Sequence, residues 1–579
     1  MRHYRIYKKV NMKVLAIDTE YAKGNTVWTT LRSYSYSWDH GVAHFVEWGD
    51  KAAIFLQGML DSLEPGDKLV MHNQIADSVI LTVHGIRVPF ELLEDTMVMA
   101  AVLCEPSIGL KDLAYRHQNM HMTVLEELTG SGKKERSVLD IPADELAPYA
   151  CADADATRRL YLTLAAKLAL EPSLQFVYES IERPLFEPLV DMQITGLCLD
   201  LDVLAALGRD VDEVIKTEQE ALWSIAGRQL NLSSNTQLQA YVYGDLAYEP
   251  ISNSKTGRNT LDSKAVTRLR FKKDHPFLAR LPFFKQAVKL KSTYINGLPK
   301  LVGPSGRLHP TPKQVGTGTG RMSSEDPNSQ NLPIRTKLGA RIREAFVAPK
   351  GYRFVGADCA ALEVRTLALV SREPKLVNAF QEAGRTGVKF DVHRWVEDNA
   401  HIPRRGAKIL TFGRTFGQGK DAAYTEVVFA FQEANETPPT LAEFEDMYSK
   451  HAQILSALPI HERNTRNAIL NQGYVETYYG RRMYCTDLRG PAFRSALSMG
   501  PQGTGGDTIK LMIPPVWKLC KATGSSLVNA VHDELSCYVP DEAGESFEPA
   551  IKTAMESAVS WPIPMLVEVL HGNSWASAH

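Results

Sequence analysis

The first 170 residues alternate short β-rich runs with longer helical runs, and this alternation constrains the fold more than any other feature of the sequence. The strand-like runs include KVLAIDTEY and KLVMHN, and the helix-like runs include QIADSVILTVHG and ELAPYACADADATRRLYLTLAAKL. Such alternation is typical of an α/β domain, in which helices cover a sheet. Glu171-Pro172 interrupts the last helical run. We therefore expect a first α/β domain over residues 1–170.

The remaining residues, 171–579, are predicted to be helical at first and mixed afterwards. Ser173 to Leu222 predicts one long amphipathic helix with Pro184 near an N-terminus, and the region to about 310 is mostly helical. Strand-like YRFVGAD is then followed by helix-like ALEVRTLALVS, a helix-rich block to about 490 and a hairpin-like SSLVNAVHDELSCYV. At 579 residues the chain has room for roughly three to four domains. The expected fold class is a multidomain combination of α/β and α+β units.

The overall charge identifies no partner, because 65 basic and 67 acidic residues leave a net charge of −2. The local distribution is more informative, since His275 to Ser324 contains no Asp or Glu. The basic residues of this stretch are Arg280, Lys285, Lys289, Lys291, Lys300, Arg307, Lys313 and Arg321. This composition favours a surface that follows the phosphates of a nucleic acid. An ordinary solvated basic surface is the alternative.

The cysteines bear on both metal chemistry and compartment. All seven lie far apart without a CxxC pair, which argues against zinc and favours oxygen ligands for any metal. The same usage fits a reducing cytoplasm. No apolar stretch reaches the roughly 18 residues of a membrane span, so we expect a cytoplasmic protein with no membrane partner.

Acidic residues recur at three points of the first domain. Asp18 and Glu20 lie two residues apart in a strand-like run and therefore share a face, and Asp77 lies near the start of a helical run. Tyr149 and Asp153 are four residues apart and share one face of a helix. Each acid alone is as well explained by a surface or helix-terminal charge. Together they provide the carboxylates with which two hard cations hydrolyse a phosphodiester, with a tyrosine hydroxyl to orient water.

A second set of residues lies far along the chain. Asp358 ends a strand-like run, and Asp533 lies between two others, although either could simply be a turn residue. Between them, Arg404, Lys408 and Phe412 recur every four residues and share a helix face. Like charges at this spacing destabilise a helix by about 0.2–0.5 kcal/mol unless an anion binds there. Two metal-binding aspartates, cations for a triphosphate and a flat aromatic surface are what nucleotidyl transfer requires.

The acidic pattern of the first domain resembles that of DnaQ-like 3′-to-5′ exonucleases. The matching motifs are D-T-E at 18–20, N-x-x-x-D at 73–77, D-T-M at 95–97 and Y-x-x-x-D at 149–153. The resemblance implies an RNase H-like exonuclease domain over residues 1–170. It implies that the metal ligands are Asp18, Glu20, Asp77 and Asp153, and that Tyr149 positions water.

The second set resembles the motifs of family A DNA polymerases almost from end to end. The matching segments are TGRMSSEDPNSQNLPIR (319–335), DCAALEVR (358–365), FDVH (390–393), RRGAKILTFGRTFG (404–417), GYVETYYGRR (473–482), PQGTGGD (501–507), VHDE (531–534) and the terminal NSWASAH. The resemblance implies a right-hand polymerase domain over residues 171–579. Within it we expect a thumb at about 200–310, a palm at about 311–375 and 490–579, and fingers at about 376–489.

The resemblance also implies a role for individual residues. Asp358, Asp533 and the Cys359 carbonyl would hold metal, with Glu534 as a supporting catalytic residue. Residues implied to meet the incoming nucleotide are His393, Arg404, Lys408, Phe412 and Phe416, with Lys408 also catalytic and Glu363 as the steric gate against a ribose 2′-hydroxyl. Residues implied to contact DNA are Arg321, Gln330, Asn331, Arg335, Arg494, Gln502 and His532.

The implied cofactor is Mg²⁺, two ions per active site, for which Mn²⁺ can substitute. The implied partners are primer-template DNA and deoxynucleoside triphosphates, bound by a monomer, and a processivity factor stays an open question. No 5′-nuclease domain is expected, because few residues precede Asp18. The compact form is similar to phage polymerases, which would place the protein in the cytoplasm of a bacterial host.

Some positions depart from the family pattern, and other functions stay open. The family usually reads D-Y-S-Q-I-E where this chain reads D-C-A-A-L-E at 358–363, and Phe416 replaces a usual tyrosine. The alternatives are a single-subunit RNA polymerase, an exonuclease with an inactive polymerase half and a non-catalytic DNA-binding module. Glu363 and the exonuclease pattern speak against the first alternative, and the retained metal and triphosphate residues speak against the other two.

Overall fold

A computed structural model describes residues 12–132, 135–252, 257–333, 337–388, 390–434 and 436–579. The first unit is built on a five-stranded sheet in the order β3-β2-β1-β4-β5. Its strands are β1 (Val14–Tyr21), β2 (Leu31–Asp39), β3 (Val42–Glu47), β4 (Lys68–Met71) and β5 (Leu93–Asp95). Strand β1 pairs antiparallel with β2 and parallel with β4. Its run Val14–Ile17 is buried on both faces, because apolar residues in succession suit a central strand.

Helices cover this sheet, as the alternating sequence predicted. They are α1 (Asp50–Asp61), α2 (Gln74–Val83), α3 (Thr96–Val102), α4 (Leu110–Gln118), α5 (Leu125–Thr129) and α6 (Ala143–Leu168). Helix α6 crosses the three strands β1, β2 and β3. The α/β expectation for the first domain is confirmed.

The next segment is broken where the sequence predicted one helix from Ser173 to Leu222. It forms α7 (Pro172–Phe176), a short non-α turn, α8 (Phe186–Thr195), β6 (Leu197–Cys198) and α9 (Leu201–Ala226). Gly196 ends α8 at φ 65°, and a Cβ there would lie 2.5 Å from the Leu308 carbonyl oxygen. The long-helix prediction is therefore wrong, because the chain must turn at this glycine to pair with a later strand. Asp200 then starts α9 by accepting backbone N–H groups of Asp202 and Val203.

A helical unit with its own core follows. It contains α9, α10 (Asn235–Gln239), α11 (Ser263–Lys272) and α12 (Pro276–Lys289). Basic residues of the acid-free stretch 275–324 form ion pairs with acidic residues from another part of the chain. Arg280 pairs with Glu218 at 2.8 Å, and Lys291 pairs with Asp212, both partners lying on α9. This basic surface is therefore partly neutralised, so it carries less free charge than the sequence indicated.

Short elements lead to the second main sheet. They are β7 (Arg307–Leu308), which pairs with β6, then β8 (Thr311–Lys313), β9 (Ser323–Glu325) and α13 (Lys337–Ala340). The strands of this sheet are β10 (Tyr352–Cys359), β13 (Ser526–Val531), β14 (Glu534–Pro540) and β15 (Val567–Gly572). The sheet is antiparallel in the order β13-β14-β10-β15, so β10 lies between β14 and β15.

Helices fill the chain between β10 and the rest of this sheet. They are α14 (Leu362–Ser371), α15 (Pro374–Thr386), α16 (Val392–Ala400), α17 (Arg404–Thr415), α18 (Lys420–Glu433), α19 (Leu441–Ile454) and α20 (Ala457–Gln472). A hairpin of β11 (Tyr474–Glu476) and β12 (Arg482–Tyr484) follows. The predicted helix-rich block to about residue 490 is confirmed.

The chain ends by completing the second main sheet. The last elements are α21 (Gly490–Ser498), α22 (Thr504–Thr523), β13 (Ser526–Val531), β14 (Glu534–Pro540), α23 (Gly544–Glu556) and β15 (Val567–Gly572). Helices α8, α22 and α23 share one core with the sheet. None of the helices in the described ranges combines the length and the hydropathy needed to cross a membrane.

Candidate active sites

Three carboxylates of the first unit converge beside β1. Asp18 and Glu20 project from the same face of this strand, and Asp153 reaches them from α6. One oxygen of each carboxylate lies within 4.8 Å of the others. Tyr149 lies one turn before Asp153, and all four side chains line a cavity of about 440 Å³. The structure thereby brings together four of the five residues predicted for this site.

Asp77, the fifth, lies beside this cluster and is bound to its strand. The backbone N–H of Thr19 donates to Asp77 Oδ1 at 3.1 Å, and the Thr19 hydroxyl donates to the same oxygen. Asp95 fixes the start of α2 by accepting the backbone N–H groups of Asn73 and Gln74 at 3.2 and 2.8 Å. Asp95 and Thr19 thereby both hold Asp77 against β1.

Burial and mutual repulsion raise the pKa values of the acids in this cluster. Burial, followed by repulsion from Asp153, raises the pKa of Glu20 to about 8. Burial also raises the pKa of Asp77 to about 7 and that of Asp18 well above its ordinary value. Carboxylates are hard oxygen ligands, and several that converge at one point form the donor set that Mg²⁺ and Mn²⁺ prefer. The residues present therefore fit a divalent metal.

Lys111 is a member of this site that the sequence did not reveal. Its ammonium forms an ion pair with Asp153 and lies 4.2 Å from the ring centroid of Tyr149. Burial raises the pKa of Asp153, and the Lys111 ammonium offsets part of this rise. Lys111 lies on α4, 42 residues before its partner. Because a single lysine in a helix is common, nothing in its local sequence distinguished it.

The second site lies where β10 ends and the antiparallel strand β14 begins. Cys359, which follows Asp358, donates its backbone N–H to the Asp533 carbonyl at 3.0 Å, and Asp358 pairs in register with Glu534. His532, at φ 54°, forms the tight turn that presents Asp533. Two aspartates separated by 175 residues in the sequence (533 − 358) are thus neighbours in the fold.

Burial and mutual repulsion shape the acids of this site. Burial, then Asp533 and Glu534, raises the pKa of Asp358 to about 7, and burial raises the pKa of Asp533 as well. The Cys359 thiol is buried and contacts Met512 Sδ at 3.5 Å. The thiol therefore belongs to the core, and the role of the Cys359 carbonyl as a metal ligand stays a prediction.

Glu534 was implied to be a supporting catalytic residue, which stays a prediction, and its hydrogen bonds connect it to the C-terminal segment and to β14. Its Oε1 accepts hydrogen bonds from Ser536 Oγ and Trp575 Nε1, both at 2.8 Å, and its Oε2 lies 2.7 Å from His579 Nδ1. Both carboxylate oxygens therefore bind the end of the chain or β14. Glu534 anchors the C-terminal segment beside Asp533.

A cavity of about 500 Å³ adjoins Asp533. Predicted residues that line it are Arg321, Glu363, His393, Arg404, Phe412, His532 and Asp533. Lys408 is exposed one turn after Arg404 on α17, and Phe416 ends that helix. The cavity is therefore bounded by the helix face and the aspartate that the sequence singled out.

Two contacts organise the nucleotide side of this cavity. Arg404 Nη2 pairs with Asp391 Oδ2 at 2.6 Å, and Asp391 also caps α16 by accepting the backbone N–H of His393. The His393 and Phe412 rings lie 5.3 Å apart, and burial lowers the His393 pKa to about 4. Asp391 was not predicted as a site residue, although an aspartate directly before a helix is a recognisable N-cap signal.

The residues predicted to contact DNA are dispersed around this cavity. Arg321 Nη2 pairs with Glu363 Oε1 at 2.9 Å. Gln330 and Asn331 lie on a short 3-10 turn whose Gln330 Nε2 donates to the Ala530 carbonyl at 3.3 Å. Arg494 lines a separate cavity of about 310 Å³ beside α17.

Gln502 and Arg335 are the remaining residues predicted to contact DNA. Gln502 is half-buried in the turn between α21 and α22. Arg335 lies outside the described residues, so its predicted role is neither supported nor contradicted.

Comparisons with known proteins bear on both halves of the chain. Residues 201–577 match the family described as DNA polymerase family A, and residues 4–169 match the family described as 3′-5′ exonuclease. DNA polymerase I of Chloroflexus aurantiacus is 34% identical over 526 residues, which are 87% of this chain and 54% of that protein. DNA polymerase I of Pseudomonas aeruginosa is 31% identical over 506 residues, 84% of this chain and 54% of that protein. The chain spans about half the length of these curated relatives.

The fold is similar to that of a solved complex. The POL domain of Pol1 from M. smegmatis, in complex with DNA primer-template and dNTP, superimposes with a TM-score of 0.81 at 27% identity. The match covers 98% of this chain and 96% of that one. Both main sheets therefore lie within the fold shared with that complex.

Proposed function

Because this chain belongs to DNA polymerase family A and carries a 3′-5′ exonuclease domain, we propose that it extends a DNA primer and removes misplaced nucleotides from the primer end. Extension would occur by nucleotidyl transfer to a 3′-hydroxyl, in DNA replication or gap filling. The similar solved structure was determined with primer-template and dNTP, which supports the same partners here. The protein would act as a monomer.

The two family matches also suggest where the domains begin and end. Residues 1–170 form the exonuclease domain in this proposal, and residues 171–579 form the polymerase domain. Helices α9 to α12 correspond to the thumb, the four-stranded sheet with α22 and α23 to the palm, and α15 to α20 to the fingers. This division is supported by the separate cores of the sheet and of α9 to α12.

Both sites have oxygen ligands that suit Mg²⁺ or Mn²⁺. In the exonuclease domain, Asp18, Glu20 and Asp153 would hold metal, with Asp77 nearby. In the palm, Asp358 and Asp533 would do so with the Cys359 carbonyl. When bound, such ions activate the attacking oxygen and stabilise the leaving one.

The chain's own residues orient the substrates at the polymerase site. Arg404 and Lys408 would balance the triphosphate charge, and Arg404 would exchange or share its Asp391 partner when the triphosphate arrives. Phe412 presents a flat apolar surface to the incoming nucleotide. Glu363, held by Arg321, forms the wall that leaves no room for a 2′-hydroxyl.

The exonuclease residues act on a single strand. Tyr149 would orient the attacking water with its hydroxyl, which stays protonated because burial raises the pKa of Tyr149 far above neutrality. Lys111 would offset the negative charge that develops at the scissile phosphate. It is held for this by its ion pair with Asp153.

The observation that carries the proposal is the meeting of Asp358 and Asp533 beside a cavity lined by Arg404 and Phe412. Primer extension on a recessed template with Mg²⁺ tests it, with degradation of a labelled single strand measured in parallel. Asp358→Ala should lower extension by about 10³-fold or more and leave degradation intact, because a lost metal ligand removes several kcal/mol of charge stabilisation. Asp18→Ala should do the reverse.

Asp446→Ala, at an exposed aspartate on α19 that pairs with Lys450, is the matched control and should leave both activities unchanged. Loss of both activities from one folded variant would contradict the assignment of two separate sites. Equal use of ribonucleotides and deoxynucleotides in the same assay would favour an RNA polymerase and contradict the role of Glu363.

A further inference from the structure

A cluster of four buried charges joins three separated parts of the chain. Glu182 precedes α8, Arg481 begins the second half of the β11–β12 hairpin, and Asp507 and Lys510 lie on α22. The side chains of Glu182, Asp507 and Lys510 are 0% exposed, and that of Arg481 is 6% exposed. Two cations and two anions balance, as burial of charge requires.

Hydrogen bonds hold this cluster rigidly. Arg481 pairs with Glu182 and donates from Nε to Asp507 Oδ1 at 2.7 Å. Lys510 Nζ lies 2.6 Å from Glu182 Oε1. The second Asp507 oxygen accepts the Thr477 hydroxyl at 2.8 Å. A guanidinium held in this way by two carboxylates has little freedom to move.

One face of Arg481 packs against the backbone that carries Arg321. A Cβ at Gly320 would lie 2.6 Å from Arg481 Cδ and 2.7 Å from its Nε, so only glycine allows this approach. Gly320 also has φ 77°. Arg481 therefore determines where the chain lies one residue before Arg321.

Arg321 also packs against α22, the helix that carries Asp507 and Lys510. A Cβ at Gly506 would lie 3.0 Å from Arg321 Cγ, and Gly506 directly precedes Asp507. Arg321 then reaches Glu363 at 2.9 Å, and both residues line the 500 Å³ cavity. Arg481 itself does not belong to that lining.

We propose that Arg481 is a positioning residue, which together with Glu182 and Asp507 holds Arg321 against Glu363 at the nucleotide cavity. The inference rests on the proposed polymerase function and extends it to a residue that touches neither nucleotide nor metal ligand. Buried ion pairs contribute little net stability compared with apolar replacements. The cluster around Arg481 is therefore better explained by the position that it gives to Arg321 than by a gain in stability.

The test compares Arg481→Lys with Arg482→Lys in primer extension. Arg481→Lys keeps the charge but loses the Nε and fork geometry that bind Asp507 and face Gly320. It should lower kcat/KM for extension by roughly 10–100-fold, the cost of a misplacement of about 1 Å. Arg482 lies on the same hairpin and pairs with Glu171 and Glu476, so its lysine variant should change extension by less than about twofold.

A double-mutant cycle distinguishes positioning from a general loss of structure. In an Arg321→Ala background, Arg481→Lys should lower extension by less than about twofold further, because its effect passes through Arg321. Degradation of single strands by the separate exonuclease site should stay unchanged throughout. An equal fold-loss with and without Arg321 would overturn the inference.

A second variant covers the case in which Arg481→Lys does not fold. In Gly320→Ala the added methyl group pushes the backbone before Arg321 away from the Arg481 side chain. This variant should reproduce the loss of extension, again without effect in the Arg321→Ala background. Normal extension by Gly320→Ala would overturn the inference. If the unaltered protein failed to extend a primer at all, the proposed function itself would fail, and this outcome is distinct from the others.

Discussion

Replacing Glu20 by glutamine should remove a pH-dependent loss of stability from the metal-free exonuclease domain. The pKa of Glu20 is raised from 4.5 to about 8, chiefly by burial and then by Asp153. Between these pH values the folded state retains a proton that the unfolded state has released. Stability therefore falls as pH rises from about 4.5 to about 8, and the contribution is lost above that range.

The size of this effect follows from the interval. Each pH unit within it corresponds to about 1.4 kcal/mol, so raising pH from 6 to 8 should cost the unaltered protein roughly 2–3 kcal/mol that Glu20→Gln does not lose. Mg²⁺ at pH 8 should restore stability to the unaltered protein, because a cation between the carboxylates replaces the proton.

Hydrogen–deuterium exchange of the β1 peptide, in EDTA and corrected for the intrinsic pH dependence of exchange, measures this locally. Glu47→Gln on β3, whose carboxylate is exposed and pairs with Arg32, is the control and should behave like the unaltered protein. Equal losses of protection between pH 6 and 8 in the unaltered protein and in Glu20→Gln would refute the reasoning, as would a gain of protection in the unaltered protein.

Three further results are expected. Lys510→Met should destabilise the polymerase domain by about 3–5 kcal/mol in urea unfolding, because it leaves buried Glu182 underpaired, and adding Glu182→Gln should recover part of the loss; no recovery would contradict the ion-pair account. Trp575→Ala should cost about 3–5 kcal/mol in the same measurement, since this 0% exposed ring also donates to Glu534 at 2.8 Å, and a cost below about 1 kcal/mol would contradict that packing. Phe412→Tyr should raise incorporation of dideoxynucleotides relative to deoxynucleotides by up to about tenfold, because one hydroxyl can replace the missing 3′-hydroxyl; equal ratios in a chain-termination assay would argue against the placement of Phe412.

Much of the fold could be read from local pattern. The period of apolar residues and the positions of Pro and Gly predicted the first α/β unit, the strand that ends at Asp358 and the hairpin around Asp533. The break at Gly196 was missed, although this glycine and the capping residue Asp200 are local signals. The sequence on both sides of Gly196 has helical periodicity, and a strand of two residues is too short to change that pattern.

The sequence by itself determined the chemistry of both sites: which side chains can hold metal, meet a triphosphate or orient water, and which of them share a strand or helix face. Only the tertiary structure decided their partners. Lys111 meets Asp153 across 42 residues, and Arg481 meets Glu182 across 299. The fixed repeat of a helix or strand determines which of its residues share a face. Contacts between distant segments depend on how whole elements pack, and one sequence does not specify the distances between them.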